Sequence, residues 1–148
     1  MHVSRHKHQA QVHFMFHQKP HKKVLVFSPD EDLAHSLILL LENRFDVFSE
    51  TNIRRLQQSV GEYVPDVLLV DLLACVSDAT KCLEMVKRLQ PDIPIVFLKG
   101  YAKVGEEIEQ ELHRLTNWIF YKPINGELIG EVLDTVLNDT KGEAERFR

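Results

Sequence analysis

Residues Val24-Leu25-Val26-Phe27 form an unbroken apolar run, preceded by Lys22-Lys23 and stopped by Ser28-Pro29. Such a run reads as a strand buried on both faces. Leu33, Leu37, Leu40 and Leu41 follow at helical spacing, then a weaker strand at 46–49 and a helix carrying Ile53, Leu56 and Val60. Pro65 introduces a second continuous strand, Val67-Leu68-Leu69-Val70. A helix near 79–90 aligns Leu83, Val86 and Leu89, and Ile95-Val96-Phe97-Leu98 is the fourth strand, ended by Gly100. A glutamate-rich helix near 103–114 aligns Val104, Ile108 and Leu112. Trp118-Ile119-Phe120-Tyr121, closed by Pro123, is the fifth strand, and a helix near 125–138 uses Leu128, Val132, Leu133 and Val136. Five strands alternating with five helices predict an α/β fold: right-handed crossovers and a doubly wound parallel sheet covered on both faces.

Composition narrows the setting. The chain has 148 residues, 44% hydrophobic and 27% charged, enough for one domain with a single core. No apolar run reaches the roughly 18 residues of a membrane span, and the apolar content excludes disorder throughout. Cys75 and Cys82 fit a reducing, cytoplasmic compartment better than a disulfide-stapled domain.

The net charge of −4 is unevenly distributed. Residues 1–23 carry five basic groups and no acid, so the other 125 hold 13 basic and 22 acidic groups, a net of −9. That acidic body argues against nucleic acid as a partner. The first 21 residues hold six of the eight histidines without amphipathic period or compact ligand spacing. They are expected to be a flexible basic tail, native or an expression tag, rather than a metal site or signal peptide. The expected domains are therefore a tail at 1–21, a body at 22–138 and a C-terminal tail at 139–148.

In an open parallel sheet, ligands bind beyond the carboxyl ends of the strands. Strand one ends at Ser28-Pro29-Asp30, strand three at Asp71, strand four at Lys99-Gly100 and strand five at Lys122-Pro123. An acid and two lysines thus converge on one edge. With these elements in this order, residues 22–138 resemble the receiver domains of two-component response regulators. The resemblance implies a CheY-like, flavodoxin-like (βα)5 fold with strand order 2-1-3-4-5. It also implies a bacterial-type signalling module rather than an enzyme, in which Asp71 is the phosphoacceptor and Lys122 pairs with the phosphoryl oxygen.

The pocket departs from the family pattern. The two acids that normally follow strand one and hold Mg²⁺ are Ser28 and Pro29, and the usual Ser or Thr after strand four is Lys99. The aromatic switch position is Ile119, and the Met-Pro and Gly after the acceptor appear as Ala74-Cys75 and Ala79. Three carboxylates and a lysine are formally −2, whereas Asp71 with Lys99 and Lys122 is +1. One opposite-charge contact is worth roughly 4 kcal/mol of gross Coulomb energy at ~4 Å near a surface. The lysines are therefore expected to hold Asp71 ionised without metal, leaving phosphotransfer weak or absent and no cofactor required.

Plainer roles stand beside these. Ser28-Pro29-Asp30-Glu31 fits a capping box, with Ser28 at the cap and Pro29 at the first helical position. Lys99 extending into solvent, Asp71 as a strand-end turn and Lys122-Pro123 as a strand stop are the bland alternatives. Asp30 joins Asp71 as a metal ligand only if the loop bends to rescue a Mg²⁺ site. His35 and His113 lie on predicted helices, and Cys75 has nothing nearby to lower its pKa.

The expected function is protein–protein signalling, since only about ten residues follow the last helix. Partners would be a histidine kinase, an effector or a second copy. In the family the usual surface is the fourth helix, fifth strand and fifth helix, which here would present Trp118, Tyr121, Lys103, Glu106 and Glu107. For Trp118 a core role is almost equally expected. The competing expectations are a working receiver phosphorylated at Asp71 by a histidine kinase with Mg²⁺, and a flavin-type small-molecule binder on the same scaffold.

Overall fold

The computed structural model describes residues 21–72, 76–99, 110, 113–114, 118–121 and 125–146. Its strands are β1 (Lys23–Phe27), β2 (Asp46–Glu50), β3 (Val67–Leu72), β4 (Ile95–Lys99) and β5 (Trp118–Tyr121). Its helices are α1 (Glu31–Leu41), α2 (Leu56–Tyr63), α3 (Val76–Leu89) and α4 (Gly126–Arg146), with a 3₁₀ turn at Ile53–Arg55 before α2. The strands form one all-parallel sheet in the order β2-β1-β3-β4-β5, the doubly wound arrangement expected from the alternation. Most of the glutamate-rich segment near 103–114 lies outside the described residues; of it, 110, 113 and 114 are helical. The histidine-rich residues 1–20 also lie outside them.

The two faces of the sheet build two core layers. Val24, Val26, Val67, Leu69, Val96 and Leu98 pack with Leu37, Leu41, Ile129, Leu133 and Val136 from α1 and α4. On the other face, Leu25, Phe27, Leu68, Val70, Ile95 and Phe97 pack with Leu56, Val60, Leu83 and Val86 from α2 and α3. Alternation along each strand sends successive side chains to opposite faces. Because helices cover both, β1, β3 and β4 read as continuous apolar runs rather than alternating ones.

The helices differ from expectation in three places. In α1 the run Leu37–Leu41 is apolar all round, and a helix buries only one stripe. Ala34, Leu37 and Leu41 are buried, whereas Leu40, expected inside, is 54% exposed. Leu89 and Leu128, also expected on core faces, are likewise exposed. Finally, α4 continues to Arg146 instead of ending near 138. No proline interrupts residues 139–146, and Glu143-Ala144-Glu145-Arg146 are good helix formers, so the segment expected as a tail extends the helix.

Leu40 still does packing work. A Cβ on Gly126 would lie 2.9 Å from its methyl carbons, and one on Gly130 would collide with the Arg44 guanidinium. Arg44 in turn pairs with Asp134. Gly126, Gly130 and Asp134 recur every four residues on one face of α4, as neighbours on a helix do. Two missing side chains therefore let α4 seat against Leu40 and Arg44.

At the opposite end of the sheet, Val64 caps α2 in the left-handed region, φ 47° and ψ 62°, with its N–H donating to the Val60 carbonyl. A β-branched residue there is a genuine outlier.

Candidate functional site

The carboxyl end of the sheet gathers Ser28 after β1, Asp71 near the end of β3 and Lys99 closing β4. All three are buried, at 0%, 2% and 6% exposure. Polar side chains this deep demand partners. Ser28 donates its hydroxyl to Asp71 Oδ2 at 2.7 Å, joining positions 43 residues apart. Its Oγ accepts from the Asp30 N–H at 3.1 Å, and its own N–H donates to the Glu50 carbonyl at 3.1 Å. Three strand ends are thereby tied together: β2 through Glu50, β1 through Ser28 and β3 through Asp71.

This arrangement corrects the capping-box reading. The N-cap of α1 is Asp30, whose Oδ1 accepts from the amides of Asp32 and Leu33 at 3.0 and 3.2 Å. Ser-Pro-Asp-Glu contains two residue types that favour the cap position. Ser28 is drawn away because its hydroxyl has a strong acceptor in the buried Asp71 carboxylate, while Asp30 accepts from the first amides of the helix. Asp30 is exposed and its carboxylate serves the helix end, and Pro29 is exposed and offers no side-chain ligand.

Lys99 occupies the expected strand end, closing β4. Asp71 is in register with Leu98, and Leu72 with Lys99. The acid and this lysine therefore leave the sheet at neighbouring strand ends. Lys122, Lys103, Glu106, Glu107, Ala74 and Cys75 lie outside the described residues. For Tyr121 only the backbone, in β5, is described. Trp118 is half-buried and, like Val132 and Leu137, packs against the α1–α4 layer. His35 and His113 are exposed, and Cys82 is half-buried on α3.

One carboxylate escaped the sequence reading. Glu50, at the end of β2, accepts from the amides of Thr51 and Asn52 at 3.0 Å and from the Ser59 hydroxyl at 2.6 Å, with Arg55 at 4.0 Å. Burial is the strongest single influence on its carboxyl and pushes the pKa up. The Ser59, Asn52, Arg55 and Thr51 contacts together outweigh it and hold the group below the usual carboxylate range. The signal was Ser59, a polar residue on the buried stripe of α2 beside Leu56 and Val60.

The donor set also bears on a cation. Mg²⁺ seeks near-octahedral oxygen coordination with one or two carboxylates at least. At this rim the only carboxylate among the buried described residues is Asp71, already receiving a hydroxyl, and the adjoining position is a proline. Among the described residues no cluster of three or more His, Cys, Asp or Glu could hold a metal.

A doubly wound parallel sheet of order 2-1-3-4-5, with an acid at the end of its third strand, defines a flavodoxin-like α/β protein. Comparison sharpens that class: the chain has the fold of response-regulator receiver domains. It superposes on a CheY-like receiver domain protein from Methanospirillum hungatei JF-1 with a TM-score of 0.73 and 19% identity, covering 83% of this chain and 98% of that one. A signal receiver domain of a LuxO repressor protein from Vibrio parahaemolyticus gives 0.70 and 17%, covering 84% and 95%. In sequence, the transcriptional regulatory protein ZraR of Escherichia coli K12 is 24% identical over 123 residues, which are 81% of this chain and 28% of ZraR. The chain thus spans little more than a quarter of the curated relatives it matches. No family model matches it. Among the described residues no helix is long and apolar enough to cross a membrane.

Proposed function

We propose that the chain is a receiver-type signal-transduction module that works by protein–protein contact, with phosphotransfer at Asp71 weak or absent. The observation that carries this reading is the 2.7 Å bond from Ser28 to Asp71, made where receivers keep a metal-binding acid. An in-line phosphoryl donor needs an accessible carboxylate oxygen and charge neutralisation around it. Asp71 is 2% exposed and its Oδ2 is taken by a hydroxyl. In sequence, Ser28 and Pro29 stand in place of the acidic pair that would set further carboxylates beside Asp71. The partner is a signalling protein, a histidine kinase or an effector, engaged by the domain surface.

Incubation with acetyl phosphate and Mg²⁺, followed by intact-mass measurement, tests this. The expected result is no stoichiometric phosphoryl adduct. A full adduct that vanishes in Asp71→Asn would sink the proposal and establish the competing one, a working phosphoacceptor served by a histidine kinase.

A further inference from the structure

We infer that Ser28 stands in for the divalent cation: its hydroxyl clamps Asp71 to β1, and Ser28 with Pro29 is what closes this rim to Mg²⁺. The inference deepens the reading of the chain as a receiver-type module and rests on it. In a pocket of several carboxylates, mutual repulsion is relieved by a cation that bridges the strand ends. Here the bridge is already made by protein atoms. Ser28 holds β2 by its N–H to Glu50, takes the Asp30 N–H on its Oγ, and spends its single hydroxyl proton on Asp71. The Asp30 carbonyl, at 3.2 Å, is the more distant acceptor for that proton, and a carboxylate is the stronger one.

The geometry also explains why Ser28 is not the helix cap. Asp30 takes that task, which frees a small hydroxyl, buried at 0%, for the acid on the neighbouring strand. Pro29 removes the second potential ligand and holds the turn between them. The described strand ends are thus tied by an internal bond, where a cation-dependent pocket would be tied by metal.

Thermal unfolding with and without millimolar MgCl₂, at matched ionic strength, provides the test. The wild-type midpoint is expected not to respond to Mg²⁺. Ser28→Ala is expected to lower it by about 6 °C, the order produced by losing one charge-assisted bond in a domain of this size, again without Mg²⁺ response. The Ser28→Asp, Pro29→Asp variant is expected to melt lower still without metal and to recover with a saturable rise as Mg²⁺ is added. If that double variant does not fold, Ser28→Asp alone carries the same expectation. A saturable Mg²⁺-dependent rise in the wild type that Asp71→Asn abolishes overturns the inference. So does an unchanged midpoint in Ser28→Ala, or an acidic variant indifferent to Mg²⁺. Failure of the interaction-module reading is separate, because it appears as a phosphoryl adduct on intact mass rather than in these melting curves.

Discussion

Two acids at the carboxyl end of the sheet each receive a serine hydroxyl at nearly the same distance, yet they do different things. Glu50, on edge strand β2, draws donors from the next nine residues of its own chain: two amides, Ser59 and Arg55. Asp71, on central strand β3, is met by Ser28 from a strand 43 residues earlier. The first is a local brace that shapes one loop. The second is a long-range tie at the place where the fold positions its chemistry. The two are coupled through backbone, because the carbonyl of Glu50 receives the N–H of Ser28. Burial of a carboxylate therefore does not mark a site; the sequence separation of its partner discriminates better here.

The sharpest way to break this contrast is at Ser28. Ser28→Ala should cost about 2 kcal/mol in chemical denaturation, since it strips a hydroxyl from a buried carboxylate. A loss below that expected for the edge acid would make Asp71 the lesser tie and reverse the comparison.

Glu50→Gln should cost less, about 1 kcal/mol, because Gln keeps an acceptor for Thr51, Asn52 and Ser59. The difference should grow with pH. The folded-state pKa of Glu50 lies below its ordinary 4.5, so its contribution is fully present above that value and lost as pH falls through the folded one. Stability curves of wild type and variant should accordingly converge on acidification below pH 4.5. Parallel curves would show that the ionised state of Glu50 contributes nothing.

The smallest effect is expected at the opposite end of the sheet and has the opposite sign. Val64→Gly should raise stability by about 0.5 kcal/mol, relief of the left-handed backbone being partly offset by glycine's extra freedom when unfolded. A destabilised variant would mean that the exposed Val64 side chain makes a contact worth more than its strain.

The strands were legible because each central one is a continuous apolar run bounded by Pro, Gly or charge, and two-sided burial leaves that mark. Asp71 was legible as the acid ending such a run. Ser28 was misread because its nearest sequence neighbours compose a capping motif, while its real partner lies on another strand. Lys99 was legible as the residue closing the fourth strand, while its register beside Asp71 and Leu72 on β3 is long-range information that local pattern does not carry. Leu40 was misassigned because five consecutive apolar residues give a helix no preferred side. Glu50 was missed because a strand-end acid looks like solvent-facing punctuation until Ser59 is seen to need an acceptor.

The glycine seat of α4 has a mechanical corollary. A helix of 21 residues spans about 31 Å at 1.5 Å per residue, and its two glycine contacts, Gly126 with Leu40 and Gly130 with Arg44, lie near one end. Ile129, Leu133 and Val136 carry the grip onward into the core, so the helix is fastened along its first half rather than at a single point.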